Sequence, residues 1–313
     1  MAEDPEQLRR VLERAWWIAG PTASGKSQLG MLLAQALDAE IISVDSMQVY
    51  RGLDIGTAKP SHADQHQVRH HLIDVADLHE AFDAASFRRL ALQAALEIDR
   101  RGKPILFCGG TGFYFQALLQ GVGEGPSGDP MLRAHLRQWD DEQLREKLRD
   151  LDPEAYQRID LQNPRKVIRA LEVVVLTGRP FADSQADWSQ PLPLGRGRCW
   201  IINRPVEQLN ERIVQRVDEM LRDGWIEETR QLMERGLESA PTASKAIGYP
   251  QVVEYLSGRM GFDAMKRWIA IRTRQLAKRQ RTWFRHQLSG SVLPQNPSLK
   301  ALVDHMLAQG NRS

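Results

Sequence analysis

The chain has 313 residues, of which 42% are hydrophobic and 26% charged, and its formal net charge is +2. This mixture is typical of a soluble globular protein with one large domain or a domain plus an insert, and no apolar run approaches the ~20 residues that a membrane helix needs. The near-neutral balance excludes bulk charge as a sign of a nucleic-acid partner, and the two cysteines lack metal-ligand spacing and fit a reducing cytosol.

A glycine-rich turn between a predicted strand (15–19) and a predicted helix (27–37) is the clearest motif. It fits G-x-x-x-x-G-K-[ST], in which backbone N–H groups and the helix N-terminus bind anionic oxygens. Lys26 adds a positive charge, and Ser27 offers a hydroxyl to hold Mg²⁺. The alternative, a chance glycine turn, is disfavoured by the spacing and by these two side chains. The predicted phosphate or diphosphate site consists of Gly20, Pro21, Thr22, Ala23, Ser24, Gly25, Lys26 and Ser27.

Asp45 follows a second apolar strand, predicted over 40–44. In an open α/β sheet the residues just after the strands line the ligand crevice, so we expect Asp45 beside the phosphate loop. Its carboxylate is predicted either to bind a metal or to act as a general base. A structural role in capping the next turn is the alternative that spacing alone leaves open.

The polar stretch 51–71 is interpreted as one long loop, which in a compact domain is usually functional or mobile. Three of its histidines have the helical spacing of a metal site, but no cysteine or carboxylate cluster supports one. We therefore favour solvated loop histidines. The four histidines concerned are His62, His66, His70 and His71.

A third strand is predicted over 104–108, after an amphipathic helix over 82–101. It runs into Gly109-Gly110-Thr111-Gly112, a second glycine-rich turn from strand to helix. Glycines let a ligand approach the backbone closely, and Thr111 offers a hydroxyl there. This motif is weak alone and gains weight as the third strand end expected at one crevice.

Two flexible stretches, 121–130 and 187–197, are interpreted as hinges around a helical block. We therefore predict an inserted helical domain over 123–197, between two segments of a core domain, 1–122 and 198–313. Helices are predicted over 131–140, 142–151 and 165–176. 

A basic group lies at the start of the last of these helices. Arg165, Lys166 and Arg169 either bind phosphate at the helix N-terminus or form a solvated face, and the sequence does not decide between the two.

A strand predicted over 199–203 returns the chain to the sheet. The fold class is thus α/β, a P-loop NTPase-like parallel-sheet core with an inserted, mainly helical domain. In the helix predicted over 209–222, Arg212 and Arg216 share a face. If that face meets the crevice, Arg216 would clamp a diphosphate, and a surface arginine is the alternative.

The stretch 265–287 contains eight Lys or Arg residues and no Asp or Glu. On a helical wheel the cations form a narrow stripe, with apolar residues opposite. Charged stripes are often merely solvated, but the absence of compensating acids and the interleaved aromatic residues favour a track for nucleic-acid phosphates. The stripe consists of Arg267, Arg274, Lys278, Arg281 and Arg285, and the opposite face of Ile269, Leu276 and Trp283.

Five motifs stand together in order, at residues 20–27, 45–60, 109–114, 163–173 and 273–284. In this combination the chain resembles the bacterial tRNA dimethylallyltransferase (tRNA isopentenyltransferase) family. The resemblance covers residues 15–290, and the long motif after Asp45 is its most specific part. Two departures, at Phe113 and Pro250, lie outside the expected chemistry.

The resemblance implies transfer of a dimethylallyl group from dimethylallyl diphosphate to N6 of the adenosine immediately 3′ of the anticodon, in tRNAs that read codons starting with U. Asp45 matches the family base, and Thr111 matches the threonine near the reacting centre. The phosphate loop, Arg216 and Mg²⁺ on Ser27 would stabilise the leaving diphosphate. We expect a monomeric, cytoplasmic enzyme with no membrane partner.

The resemblance also implies contacts with the tRNA anticodon stem-loop, held largely through phosphates and shape. The residues expected to make them are Asp45, Ser46, Met47, Gln48, Thr111, Arg133, Arg165, Lys166, Arg169, Lys245, Gly248, Tyr249, Lys278, Arg279, Gln280, Arg281, Thr282, Trp283, Phe284 and Arg285.

Three rival functions make different predictions. A small-molecule kinase or nucleotide hydrolase would turn over ATP and would not need the basic helix. A prenyltransferase for free adenine nucleotides would act on AMP without RNA. An RNA-binding protein with a regulatory phosphate site would bind RNA without chemistry. The cationic stripe and the Asp45 motif together favour the RNA-modifying enzyme.

Overall fold

The computed structural model of the chain describes residues 5–123, 125–126, 128–184, 186, 198–288, 290–293 and 298–310. The predicted hinge over 187–197 lies outside these residues. The described part forms two compact units, the first made of the described residues up to 119 and from 198 onward, the second of those from 120 to 186.

The first unit is built on one six-stranded sheet in which every neighbouring pair is parallel. Its strands are β1 (Trp16–Ala19), β2 (Glu40–Val44), β3 (His70–His71), β4 (Ile105–Gly109), β5 (Cys199–Ile201) and β6 (Ser291–Val292). Their order across the sheet is β3-β2-β4-β1-β5-β6. The predicted α/β class with a parallel sheet is confirmed.

Fourteen α-helices lie in the described part of the chain. They are α1 (Pro5–Arg14), α2 (Lys26–Leu37), α3 (His62–Gln67), α4 (Ala84–Arg100), α5 (Gly112–Gln120), α6 (Pro130–Leu136), α7 (Asp141–Leu151), α8 (Pro153–Arg158), α9 (Pro164–Thr177), α10 (Val206–Arg222), α11 (Trp225–Glu234), α12 (Tyr249–Leu256), α13 (Phe262–Gln287) and α14 (Leu299–Gly310). No helix in the described part of the chain is long and apolar enough to cross a membrane.

Alternate residues of β1 enter two different cores, because successive side chains of a strand point to opposite faces of the sheet. Trp17 packs with residues of α4 and α5 and stacks on Phe107, with ring centroids 4.2 Å apart. Trp16 and Ile18 pack with residues of α2 and α14. Helices therefore cover both faces, and all four residues of β1 are buried.

The C-terminal ends of three strands meet at one edge of the sheet. Ala19 of β1 pairs with Gly109 of β4, and Val44 of β2 pairs with the same glycine. A Cβ on Gly109 would lie 2.1 Å from the carbonyl oxygen of Val44, so only glycine fits there. The phosphate loop, Asp45 and the second glycine-rich turn consequently start from neighbouring positions.

The prediction of a single loop over 51–71 is wrong at two places, where α3 and β3 form. Helix α3 has no buried residue, so its sequence lacks an apolar period, and a capping box between Ser61 and Asp64 starts it. His71 donates from Nε2 to the carboxylate of Glu40 at 2.6 Å, and His70 donates from Nδ1 to the Val68 carbonyl. Within the described residues no group of three or more His, Cys, Asp or Glu side chains is arranged to hold a metal.

The second unit contains α6 to α9 around its own apolar core, to which Leu136, Leu144, Leu148 and Leu171 contribute. Helix α6 ends at Leu136, earlier than the predicted 131–140 span, and α8 was not predicted. Proline at the first position and an aspartate cap start both helices.

Candidate active site

The phosphate loop joins β1 to α2 in a conformation that two left-handed residues define. Gly25 has φ +92° and caps α2, and Ala23 has φ +61°, which is uncommon for a residue with a Cβ. The N-terminus of α2 therefore opens directly onto the loop, and its unpaired N–H groups are available to anionic oxygens.

Long side chains from later in the chain fasten the carbonyl groups of this loop. Arg204 donates from Nε to the carbonyl of Ser24 at 2.6 Å, and Arg212 donates from Nε to the carbonyl of Ala23 at 2.8 Å. Charge-assisted bonds of this kind are stronger than neutral ones. They hold the left-handed Ala23 in place, which offsets the cost of its backbone conformation.

Lys26 and Arg216 bring two positive charges to the loop. Nη1 of Arg216 donates to Thr22 Oγ1 over a long 3.4 Å. The side chain is half-buried and lines the same crevice as Lys26, so Arg216 is not an open surface residue. Burial is the main cause that lowers the pKa of Lys26, followed by the charge of Arg216, while Asp45 opposes the shift. Burial likewise lowers the pKa of Arg216, and Asp45 opposes it. The two side chains favour an anionic ligand, because its negative charge would offset both the cost of burial and the repulsion between neighbouring cations.

Asp45 has one oxygen in a backbone cap. Its Oδ1 accepts from the N–H of Met47 at 2.9 Å and more weakly from that of Gln48 at 3.4 Å. Thr111 Oγ1 accepts from the N–H of Ser46 at 3.1 Å, which links the ends of β2 and β4. Asp45 therefore caps the turn that follows it. The cap orients the carboxylate and uses only one of its two oxygens.

One cavity of about 330 Å³ contains both the charged and the apolar parts of the site. Its polar lining includes Thr22, Lys26, Ser27, Asp45 and Arg216. Its apolar lining includes Ile213, Val217, Met220, Trp225, Ile269 and Leu276. A ligand that joins a phosphate group to a short hydrocarbon matches this division.

The apolar wall extends away from the phosphate loop along α10. Ile213 packs with Ala23 of the loop, while Val217 and Met220 lie one and two turns further along the helix. At 1.5 Å per residue, Met220 is about 10 Å beyond Ile213 along the helix axis. Trp225, which begins α11 two residues after the end of α10, also lines the cavity.

Several residues expected to contact RNA line this cavity, and others do not. Ser46, Met47, Gln48, Lys245, Arg279 and Gln280 contribute to the lining. Tyr249 is fully buried, donates from its hydroxyl to Glu228 at 2.7 Å, and has its pKa raised by burial. Gly248 is buried against Trp225. These two residues therefore shape the wall of the cavity.

Helix α13 carries the cationic stripe as an exposed face over most of its length. Arg267, Arg274, Lys278 and Arg285 are exposed, and Arg281 is half-buried. On the predicted apolar face, Ile269 is buried, while Leu276 and Trp283 are half-buried. Thr282 is exposed, but Phe284 is buried and packs edge-on against Phe115, so its side chain is a core residue.

In the second unit, two of the predicted RNA-binding arginines are engaged by a buried carboxylate. Glu172 is fully buried and accepts from Arg133 at 2.8 Å and from Arg169 at 2.7 Å. Arg169 also donates to the Pro126 carbonyl. Arg165 and Lys166 remain exposed at the start of α9. These four residues belong to the second unit, while the phosphate loop belongs to the first.

The sequence analysis did not select two acidic residues that organise their own surroundings, Glu228 in the first unit and Glu172 in the second. Glu228 accepts from the N–H groups of Asp54, Ile55 and Gly56 at 3.1, 2.7 and 3.3 Å, and so holds the long motif after Asp45. Glu228 carries no local signal, but Glu172 lies among the buried apolar residues of α9, an unusual position for an acid that could have revealed it.

Ser27 fits a role in holding Mg²⁺ together with a bound diphosphate. It begins α2 beside Lys26 and lines the same cavity as Asp45, so a hydroxyl and a carboxylate, both hard oxygen donors, face one space. Mg²⁺ is usually held by one or two protein oxygens plus substrate phosphates, which matches this donor set.

A parallel sheet with a phosphate loop between β1 and α2 defines a P-loop protein, and its cavity joins cationic and apolar walls. The model of the family described as IPP transferase matches residues 48–287, and the chain belongs to this family. The family predicted from the motifs is confirmed.

Individual relatives and solved structures support the same family assignment. The chain is 42% identical over 308 residues to tRNA dimethylallyltransferase 1 of Citrifermentans bemidjiense, covering 97% of this chain and 98% of the relative. It is similar to the crystal structure of the full-length tRNA isopentenylpyrophosphate transferase from Bacillus halodurans, with TM-score 0.66, 33% identity and coverage of 96% and 97%. It is also similar to a eukaryotic dimethylallyltransferase acting on tRNA, with TM-score 0.74, 28% identity and coverage of 89% and 73%.

Proposed function

We propose that the protein transfers the dimethylallyl group of dimethylallyl diphosphate to N6 of the adenosine immediately 3′ of the anticodon, in tRNAs that read codons starting with U. The observation that carries the proposal is the single cavity that joins the phosphate loop, Asp45 and an apolar wall. Relatives named tRNA dimethylallyltransferase, at 42% identity over nearly the whole chain, support the same reaction.

The chain supplies a group for each change of charge in this reaction. The N6 nitrogen forms a bond to C1 of the dimethylallyl group as the bond from C1 to the diphosphate oxygen breaks. Asp45 takes the proton that N6 loses, since an exocyclic amine is a weak nucleophile while it retains that proton. The loop N–H groups, Lys26 and Arg216 stabilise the negative charge that develops on the departing diphosphate. Mg²⁺, held by Ser27, would add a further positive charge there.

The RNA side of the proposal depends on access to the base. An adenosine must leave its stack to reach a cavity, and this is easiest in a single-stranded loop. The exposed cations of α13, among them Lys278 and Arg285, are suited to contact the phosphates of an anticodon stem-loop. We include Arg165 and Lys166 of the second unit in the same role.

We also propose a monomer in the cytoplasm. Cys108 and Cys199 are free thiols, and burial raises their pKa values to about 11 and about 12, so both are unreactive at neutral pH. Free buried cysteines are compatible with a reducing compartment.

The test uses purified protein, Mg²⁺, dimethylallyl diphosphate and an anticodon stem-loop RNA with unmodified adenosines, with AMP and ATP as competing substrates. Mass spectrometry is expected to detect one added dimethylallyl group on the RNA and none on the nucleotides. Prenylated AMP would assign the protein to the free-nucleotide class. ATP hydrolysis with unmodified RNA would indicate a kinase or hydrolase, and RNA binding without any reaction would indicate a binding protein.

A further inference from the structure

Gln280 of α13 is hydrogen-bonded to both glycine-rich turns of the site. Its Oε1 accepts from the N–H of Thr22 at 2.8 Å, and its Nε2 donates to the carbonyl of Gly110 at 2.9 Å. The two turns follow different strands, β1 and β4, so one side chain joins them across the crevice. Gln280 is half-buried, although its neighbours Lys278 and Arg279 are exposed.

Side chains of α13 pack closely against the glycines of the second turn. A Cβ on Gly110 would lie 2.7 Å from Gln280 Nε2 and 3.5 Å from Cε of Lys26. One turn further along α13, the ring of Trp283 lies directly on Gly112, where a Cβ would come within 2.3 Å. The helix is therefore seated on the backbone of the second turn, and the amide of Gln280 lies beside the phosphate-loop lysine.

The bond to Thr22 completes the fastening of a strained loop. Arg204 and Arg212 hold the carbonyls of Ser24 and Ala23, but neither binds an N–H group of the loop. Gln280 binds the N–H group immediately before the left-handed Ala23. A loop held in this way does not pay for ordering when its ligand binds, and such preorganisation raises affinity.

We propose that Gln280 is a positioning residue for diphosphate and not an RNA contact. It holds the phosphate loop in its binding conformation from α13, the helix whose exposed cations we propose as RNA contacts. One side chain thereby connects the two substrate sites. This inference rests on the proposed function, because it needs the phosphate loop to bind diphosphate.

Gln280→Ala is compared with Gln275→Ala, a matched change on the exposed face of the same helix, where Gln275 contacts only Arg272 among the described hydrogen bonds. Calorimetry with inorganic diphosphate and Mg²⁺, without RNA, measures the affinity for diphosphate. Fluorescence anisotropy with the anticodon stem-loop, without diphosphate, measures the affinity for RNA. Loss of the two bonds is expected to weaken diphosphate binding about 10-fold in Gln280→Ala and to leave RNA affinity within about 2-fold. Gln275→Ala is expected to resemble the wild type in both.

Gln280→Met separates positioning from simple packing. Methionine keeps nearly the same size and shape but has neither the acceptor for Thr22 nor the donor to Gly110. Positioning predicts that Gln280→Met weakens diphosphate binding about as much as Gln280→Ala, with a KM for dimethylallyl diphosphate that rises more than kcat falls. A packing role predicts that Gln280→Met binds diphosphate as the wild type does.

The outcomes are distinct. Unchanged diphosphate affinity in Gln280→Ala, or a loss of RNA affinity alone, would overturn the inference while the proposed function stands. Failure of the wild-type protein to bind diphosphate would overturn the proposed function and this inference together. Melting temperatures of all variants without ligand check that the comparison is made between folded proteins.

Discussion

Thr111 accepts, through Oγ1, a hydrogen bond of 3.1 Å from the N–H of Ser46, the residue next to Asp45. The bond joins the ends of β2 and β4 on the side of the sheet where the phosphate loop starts. Thr111 thus fixes the backbone from which the carboxylate of Asp45 projects. Loss of its hydroxyl would therefore loosen the backbone that positions the Asp45 carboxylate.

We expect Thr111→Val, which keeps the shape and removes the acceptor, to lower kcat about 5- to 10-fold, because one backbone hydrogen bond contributes ~1 kcal/mol to the position of Asp45. Thr111→Ser keeps the hydroxyl and should retain most of the activity. Steady-state kinetics with the stem-loop RNA checks both. Equal activity of the valine and serine variants would show that the hydroxyl is dispensable.

For Asp45→Asn we expect kcat to fall by about 10²- to 10⁴-fold, the usual contribution of a general base. Asparagine keeps an oxygen for the Met47 N–H, so the turn is preserved and the KM values for both substrates should change little. Wild-type turnover in this variant, with binding intact, would remove Asp45 from the role of base.

Local patterns predict the parts of this protein that depend on neighbouring residues. The apolar runs predicted four of the six strands, β1, β2, β4 and β5, but not the two-residue strands β3 and β6. The order of strand ends predicted Asp45 beside the phosphate loop. Helix α3 was overlooked because it buries nothing, although the Ser61–Asp64 capping box was a local sign of it. The bonds from Gln280 to Thr22 and from Glu228 to Ile55 join residues 258 and 173 positions apart. No periodicity or spacing rule contains that information, since it exists only after the sheet and helices have packed.

Glu172→Gln should destabilise the helical unit by about 3 kcal/mol or more, because it leaves the Arg133 and Arg169 guanidinium groups without their buried counter-charge. Hydrogen exchange of α9 amides, followed by mass spectrometry, would show the loss as faster exchange. As a control, Glu154→Gln removes the exposed pair with Arg158 and should change exchange little. Equal exchange in both variants would contradict the structural role of Glu172.

Acid should weaken the fold through Glu40. Burial favours a higher pKa for this carboxyl, but hydrogen bonds from Arg101 and His71 outweigh it and the pKa lies below the ordinary 4.5. Between the lower pKa of the folded state and 4.5, the unfolded chain binds more protons than the folded chain. The stability contributed by Glu40 is therefore complete above pH 4.5 and is lost as pH falls through the folded-state pKa. Thermal melts against pH should lose part of their acid dependence in Glu40→Gln. An unchanged slope would mean that other carboxyls dominate.

Gly56→Ala should disturb the apolar end of the cavity. The added Cβ would lie 2.2 Å from Trp225 Nε1 and 2.7 Å from Tyr249 Cε2, so the indole must move. We expect a loss of about 1–3 kcal/mol in the free energy of unfolding and a higher KM for dimethylallyl diphosphate. Gly261→Ala, with no atom within 4 Å of the added Cβ, is the matched control and should leave both quantities unchanged. Identical denaturation midpoints for the two variants would argue against this packing.

The position of β1 in the sheet determines when the phosphate site can form during synthesis of the chain. The ribosome makes this strand and its loop before β5, which begins at Cys199 and pairs with one side of β1. It also makes them before Arg204, Arg212 and Gln280, which fasten the loop. The nascent chain must therefore carry an unpaired edge through synthesis of the entire insert, a stage at which chaperone binding would protect it from aggregation. The phosphate loop is made before the insert, but the site is completed only after α13 has been made.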